Sequence, residues 1–423
     1  MLKKDKIKLL FDAEPLALGA KKGFYRSGIY FTALNLLKCF VKHENFKFTL
    51  YVSKDKEQDA KSVIKKEFPD EKFEFFVYKD SILKNRLETL LYVIKDENGF
   101  FIKILLKTVL HIIKSFRSII YNFRKYSNHN AVFSAAFAIP ETVKELKPGK
   151  TCIFLHDVIP HILKEYSHGL SKGCWFQKLT SDMNRKDYYF TNSEHTRKDF
   201  LKFYPCIDPE KIRTTYVGCN VPFVPQYEKL DGVKEKYNIP KDKKYLFSLC
   251  SLEPRKNLVR AVKTFIRFVN KHNIDDLIYV LGGGNWESFL EVMENTISDL
   301  NTDKICQIGY VDDNDLSVLY SGAEWFTYTS QYEGFGSPVL EAMNCGCPVI
   351  VSDNSSLPEV VGDAGIKIKW DSDEQHIEAY EKYYFDENLR KENSRKGFKR
   401  AKMFSWERTA EKILKEILDN NGE

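Results

Sequence analysis

Short apolar runs of strand length alternate with longer helical patterns along this chain, and the rhythm occurs twice. The first series contains IKLLFDA, FKFTLYVS, KFEFFVY, TCIFLHD and YYFTNS; the second contains YLFSLCS, LIYVLGGG, WFTYTS and CPVIVSD. Strand, helix, strand in regular succession is the pattern of parallel sheets covered by helices on both faces. At 423 residues the chain exceeds what one hydrophobic core supports, so two series imply two Rossmann-like α/β domains. Pro222, Pro225 and Pro240 interrupt the periodicity between them. The expected division is a first domain over 1–221, a second over 222–404, and a helix over 405–423 packing back toward the first. Ser405 and Glu407 suit the N-terminus of that helix.

Charge is divided unevenly. Residues 1–220 hold 39 Lys and Arg against 25 Asp and Glu, whereas the remainder holds 26 against 34. Between Glu97 and Glu141 there is no acid, and an apolar stretch within a basic insertion at about 80–128 carries Lys103, Lys107, Lys114, Arg117, Arg124 and Lys125. At helical spacing these six fall within an arc of about 100°. Two readings stand: a helix lying on an anionic membrane surface, or a scaffold helix whose charged stripe faces water. No zinc pattern, helix-turn-helix signature or aromatic interleaving points to nucleic acid. The nine cysteines are scattered and include no Cys-x-x-Cys pair, which fits reduced thiols in a cytoplasmic protein rather than a metal centre. The basic start lacks the apolar core of a signal peptide, and no window is long and apolar enough to span a bilayer.

Two segments carry chemistry. In QYEGFGSPVLEAMNCGCPVIVSD, Glu333 and Glu341 flank Gly334, Gly336 and Pro338. Ser337 and Pro338 start a helix that Gly346 closes, so Glu341 lies on its first turns. Glycines before a helix N-terminus admit an anion closely to free N–H groups. In SLCSLEPRKNLVRAVKTF, Arg255 and Lys256 stand between a strand and a helix. Adjacent cations at the carboxyl end of a strand suit a diphosphate, although such a pair is also common on solvated surfaces.

Taken together, SLEPRKN, FLHDVIP and the run from GYVDDNDL through LPEVVGDAGI resemble glycosyltransferase family four, the retaining, nucleotide-sugar-dependent transferases of GT-B fold. The resemblance is strongest over about 245–370, weaker over 1–40 and 150–220, and absent over about 80–130. It implies a hexose transferred from a nucleoside diphosphate sugar to a glycan or lipid-linked glycan, as in cell-surface polysaccharide synthesis. Members with EPRKN often use GDP-mannose, which favours that donor over a UDP-sugar. The resemblance assigns Glu333 and the backbone of Gly334, Phe335 and Gly336 to the donor sugar, and Glu341 to the ribose hydroxyls. It assigns Arg255 and Lys256 to the diphosphate, Val311 and Asp313 to the border of the base, and His156 with Asp157 to the donor from the first domain. Gly28 brings a helix start near the diphosphate, and no metal or cofactor is required. Two departures stand out: Cys250–Ser251 replaces a Gly-containing pair, and the first loop lacks a Gly-Gly pair, with Lys21, Lys22 or Arg26 as substitutes. A GT-B-fold nucleotide-sugar epimerase and a catalytically silent nucleotide-sugar-binding scaffold are the competing readings.

Overall fold

A computed structural model of the chain describes residues 6–20, 28–79, 108–109, 123–284 and 302–419. Seven strands form the first sheet: β1 (Ile7–Asp12), β2 (Phe46–Ser53), β3 (Glu74–Tyr78), β4 (Ala131–Ser134), β5 (Lys150–Leu155), β6 (Tyr188–Thr191) and β7 (Ile212–Thr214). Their order is β3-β2-β1-β4-β5-β6-β7, with every pair parallel. Six more form the second: β8 (Lys244–Leu249), β9 (Leu277–Gly282), β10 (Ile305–Gly309), β11 (Trp325–Tyr328), β12 (Val349–Ser352) and β13 (Gly365–Ile368). They lie in the order β10-β9-β8-β11-β12-β13, again all parallel. Leu9, Leu10 and Phe11 of β1 and Tyr245, Leu246 and Phe247 of β8 have no exposed surface. Burial on both faces is why these strands read as continuous apolar runs rather than alternating ones.

This is the two-domain α/β architecture that the sequence rhythm implies, and all nine quoted runs form strands. Four strands were not visible in that rhythm. β4 and β7 are four and three residues long, Gln307 interrupts the apolar pattern of β10, and β13 is an edge strand with Lys367 facing water. β4 matters most, because it lies between β1 and β5, where the strand order reverses. Each sheet has such a reversal, β1/β4 in the first and β8/β11 in the second, and open α/β sheets bind ligands at the carboxyl edge of that point.

The helices that position functional groups are α1 (Gly28–Phe40), α2 (Glu194–Phe203), α3 (Leu258–His272), α4 (Asp313–Gly322), α5 (Ser337–Asn344), α6 (Asp373–Phe385) and α7 (Trp406–Asp419). The domains meet through α2. Ser193, at its N-cap, donates its hydroxyl to the Gly334 carbonyl at 2.7 Å, and Thr196 donates to the same oxygen at 3.1 Å. The Glu359 carboxylate accepts the backbone N–H groups of Glu194 at 2.8 Å and His195 at 3.2 Å, so an acid of the second domain caps a helix of the first. Tyr332 donates to Asp199 at 2.6 Å on the same helix.

Helix α7 returns to the first domain. Trp406, Ala410, Ile413, Leu414 and Ile417 recur at helical spacing and are buried. The Trp406 indole donates to the Cys219 carbonyl at 2.9 Å, and Thr409 donates to the Tyr216 carbonyl at 3.2 Å. At its far end the Lys150 ammonium donates to the carbonyls of Glu416 and Ile417 at 2.8 and 3.1 Å. A cation on the last carbonyls satisfies acceptors that a helix end leaves open.

Lys103, Lys107, Lys114 and Arg117 of the basic stripe lie outside the described residues, as does the side chain of Arg124. Lys125 sits on a short helix, Phe123–Tyr126, and forms an ion pair with Glu74 at 2.5 Å. Among the described residues no helix is long and apolar enough to cross a membrane. One consequence of the α7 clasp is measurable. Lys150→Met leaves the Glu416 and buried Ile417 carbonyls without their charged donor, and is expected to lower the thermal unfolding midpoint by a few degrees, from a loss of about 1.5–3 kcal/mol. An unchanged midpoint would show that the clasp does not hold the helix.

Candidate active site

At the carboxyl edge of β8 the chain passes through Cys250 and Ser251 into a single 3-10 turn, Pro254–Lys256, before α3. Asn257 joins the two in the left-handed region (φ 57°), which turns Arg255 and Lys256 toward β11. There they meet Glu333. Its Oε1 accepts from Lys256 Nζ at 2.7 Å, from Tyr328 Oη at 3.0 Å and from Arg255 Nη1 at 3.1 Å. Lys256 also donates to the Tyr328 hydroxyl at 2.7 Å, and Arg255 donates to Glu253 at 2.8 Å. Burial alone would raise the Glu333 carboxyl, but Lys256 and Arg255 outweigh it and hold the group below its usual range. The same contacts overcome the burial of both cations and keep them charged.

Across the seam lie His156 and Asp157, just beyond the end of β5. The Gly334 backbone sits so close to them that a Cβ there would stand 2.4 Å from the His156 carbonyl oxygen and 3.0 Å from the Asp157 Cβ. Only glycine permits that approach. Gly336 needs glycine for a second reason: its φ of 93° opens α5, and a Cβ would meet Leu357 at 2.5 Å. Phe335 between them turns its ring into the core against Phe404, 5.6 Å between centroids, leaving its main chain to the loop. The His156 imidazole donates Nε2–H to the Ala135 carbonyl at 2.8 Å, and burial pushes its pKa down to about 4, so it is neutral with Nδ1 as an acceptor. Asp157 accepts the Ile159 N–H at 3.0 Å, and its carboxyl is raised by burial, with Arg255 and Lys256 near enough to oppose the shift.

Glu341 lies on α5 and is 7% exposed, with the Tyr320 hydroxyl donating to Oε2 at 3.1 Å. Val311 packs against Gly282, where a Cβ would meet it at 3.1 Å, and Asp313 opens α4 close enough to raise the Glu341 carboxyl. Gly28 begins α1 in open space, while Lys21, Lys22 and Arg26 lie outside the described residues. Arg255, Lys256, Glu333, Gly334, His156 and Asp157 therefore share one seam. Glu341 on α5, Val311 in the loop after β10 and Asp313 at the start of α4 belong to the second domain.

Four participants carried no role in the sequence reading: Tyr328, Tyr320, Glu253 and Tyr166. Tyr166 crosses from the first domain to donate to Glu253 at 3.1 Å, and its ring faces the Arg255 guanidinium at 5.9 Å. Tyr328 was findable as the last residue of a strand at the reversal point; Tyr320 and Tyr166 leave no signal short of the fold. In the Asp371-Ser372-Asp373 triplet, Asp371 lies in an exposed turn and Asp373 starts α6. Ser372 caps that helix, and Asp373 takes Arg260, Lys263 and Arg267. Among the described residues no group of His, Cys, Asp or Glu is placed to hold a metal ion, and all nine cysteines are free thiols.

Burial raises the Glu341 carboxyl from 4.5 to about 7, and Asp313 adds to the shift while Tyr320 opposes it. A group raised on folding favours the fold fully below its unfolded pKa, and that contribution is lost as pH rises through the folded value. Ionising it above about pH 7 costs on the order of 3 kcal/mol. Glu341→Gln should therefore raise the melting temperature of the empty protein above pH 7 and give no gain near pH 4. A gain independent of pH in melting curves would contradict the burial argument.

Residues 231–400 match the family of glycosyl transferases group 1. The O-antigen chain mannosyltransferase B of Escherichia coli is 30% identical over 261 residues, which are 60% of this chain and 66% of that protein. The serotype-specific mannosyltransferase WbdA of Escherichia coli is 28% identical over 62% of this chain, but over only 32% of its own length. The aligned region thus spans just under two thirds of the first relative and about a third of the second. A glycosyltransferase from Rickettsia africae superposes with a TM-score of 0.66 at 16% identity, covering 99% of this chain and all of that one. That likeness extends the GT-B fold to both sheets, and residues 231–400 carry the match to the glycosyl transferases group 1 family.

Proposed function

We propose that the protein is a retaining glycosyltransferase that moves a hexose from a nucleoside diphosphate sugar to a glycan acceptor in surface polysaccharide synthesis, with GDP-mannose the favoured donor. The observation that carries this reading is the convergence of Arg255 and Lys256 on Glu333 at the carboxyl ends of β8 and β11, opposite His156 and Asp157. The similarity to mannosyltransferases supports the choice of sugar.

In this reading Arg255 and Lys256 bind the diphosphate, and Glu341 takes the ribose hydroxyls. Glu333 and the main chain of Gly334 to Gly336 take the sugar, while Val311 and Asp313 border the base. The bond between the anomeric carbon and the diphosphate oxygen breaks. The electron pair leaves with the diphosphate, whose growing charge the two cations stabilise. An acceptor hydroxyl attacks the anomeric carbon from the same face and passes its proton to the departing phosphate oxygen. Retention follows without a protein nucleophile. Neutral His156 accepts a sugar hydroxyl through Nδ1 rather than supplying charge. The rate comes from positioning and fixed electrostatics, with the cations doing what a metal ion does elsewhere.

The protein works on the cytoplasmic face of a membrane, held there by its basic stripe, and its acceptor is a glycan that is itself lipid-linked. Nine free thiols suit that compartment. Sedimentation with anionic vesicles at low salt tests the membrane step, and protein left wholly in the supernatant removes it.

The donor reading is tested by melting the protein against a panel of nucleoside diphosphates and their sugars. One nucleotide class at about 100 times its dissociation constant should stabilise the wild type by roughly 2.7 kcal/mol. Lys256→Ala should abolish the shift and cut turnover by about 100-fold or more, and a chelator should leave the wild-type rate unchanged. No shift with any nucleotide would remove the donor reading, a shift without turnover would favour the silent nucleotide-sugar-binding scaffold, and product formed without acceptor would favour an epimerase.

A further inference from the structure

The second sheet places its cation cluster at the β8/β11 reversal. The first sheet has the same reversal at β1/β4, and a cavity of about 510 Å³ stands there. That volume is in the range of small-molecule sites. Asp12, the last residue of β1, ties the two strands together: Oδ2 accepts the Ser134 hydroxyl at 2.7 Å and Oδ1 accepts the Glu14 N–H at 2.9 Å. Beside it Glu14 is almost wholly buried, accepting from the Ser53 N–H at 2.7 Å and the Tyr78 hydroxyl at 2.8 Å and pairing with Lys56. This polar floor sets two buried carboxylates against one ammonium, where the other sheet sets two cations on Glu333.

The rest of the lining includes aromatic rings. Trp175 is 47% exposed, yet it is held firmly. Phe137 meets it edge to face at 6.1 Å, and buried Phe176 backs it at 5.7 Å. A fixed indole in the same cavity as hydrogen-bonding groups can receive a sugar ring, its C–H face on the aromatic and its hydroxyls on the polar groups. The cavity is also coupled to the seam. The loop after β4 that supplies Phe137 carries the Ala135 carbonyl that holds the His156 imidazole.

We propose that this cavity is a saccharide subsite, in which an uncharged hexose ring of the acceptor stacks on Trp175 over the floor formed by Glu14, Lys56 and Tyr78. The assignment to the acceptor rests on the transferase reading above; the binding of a hexose does not. Lys56 is already paired with Glu14, so the floor offers no unshared cation to a phosphate. Lys178 at the rim is why phosphate belongs in the test as a competitor.

Saturation-transfer NMR with the methyl glycosides of mannose, glucose and galactose tests the site. At least one should receive saturation from the wild type, inorganic phosphate should not displace it, and Trp175→Ala should weaken it by about tenfold or more. Trp175→Phe should retain most of the signal, and both variants should keep the wild-type melting shift with the nucleoside diphosphate. Absence of saturation, saturation unaltered by Trp175→Ala, or displacement by inorganic phosphate would each overturn the proposal. If Trp175→Ala loses the nucleotide shift through misfolding, the decision passes to Trp175→Phe: retained saturation supports the site and its complete loss overturns it. Hexoside binding by a protein that no nucleoside diphosphate stabilises would sink the donor reading and leave the cavity standing.

Discussion

The interaction on which the rest of the structure depends is the burial of Glu333 against two cations and a phenol. A carboxylate that is 8% exposed survives ionised only because Arg255, Lys256 and Tyr328 converge on one of its oxygens. The dependence is mutual. Without Glu333, two like charges would stand side by side in the same enclosure, and breaking such a pair typically costs about 3–5 kcal/mol. The cluster fixes the geometry of two loops at once, the one after β8 and the one after β11. It therefore sets where α3 and α5 begin.

That constraint reaches the first domain through Gly334, the next residue. Its carbonyl receives Ser193 and Thr196, and its Cα lies where any side chain would strike the His156 carbonyl. Glu359 and Tyr332 strengthen the same seam by acting on α2. The spacing of Glu333, Gly334 and Gly336 thus has two separate physical causes. One glycine admits a neighbouring domain, and the other adopts a backbone angle that starts a helix. A motif that looks like a single flexible loop is a junction under tight steric control.

Much of this was legible in the residues and some was not, for reasons that differ by element. Strands buried on both faces announce themselves as apolar runs, which is why β1, β2, β8 and β9 are plain in the sequence. β4 has the same burial but only four residues, too few for any period to register, although it stands at the centre of the first sheet. Arg255, Lys256 and Glu333 were legible because a cation pair and a glycine-flanked acid each follow a strand. Their partnership was not, since 77 positions separate Lys256 from Glu333 and only the β8–β11 pairing brings them together. Tyr166 is further removed: nothing in its neighbourhood signals that it would reach across to Glu253. In the triplet at Asp371 it is Ser372 that caps α6 and Asp373 that gathers three cations, a use that spacing alone does not reveal.

The two sheets share one strand order, but the chemistry at their reversal points is opposite. At β8/β11 Arg255 and Lys256 meet on Glu333, and Arg255 also holds Glu253, so a diphosphate would find two fixed cations there. At β1/β4 Lys56 pairs with Glu14 beside the buried Asp12, and an aromatic face replaces the second cation. The same topology thus offers an anionic ligand one edge and a neutral, hydroxyl-rich one the other. A transfer reaction needs that asymmetry, because two equivalent crevices would let donor and acceptor compete for each other's place. Since the Ala135 carbonyl joins one crevice to His156, and Gly334 joins His156 to the other, the two sites are connected by short backbone contacts rather than by a flexible linker. Orientation of two substrates across the seam then follows from rigid packing, which is the contribution a protein can make when the leaving group carries its own base.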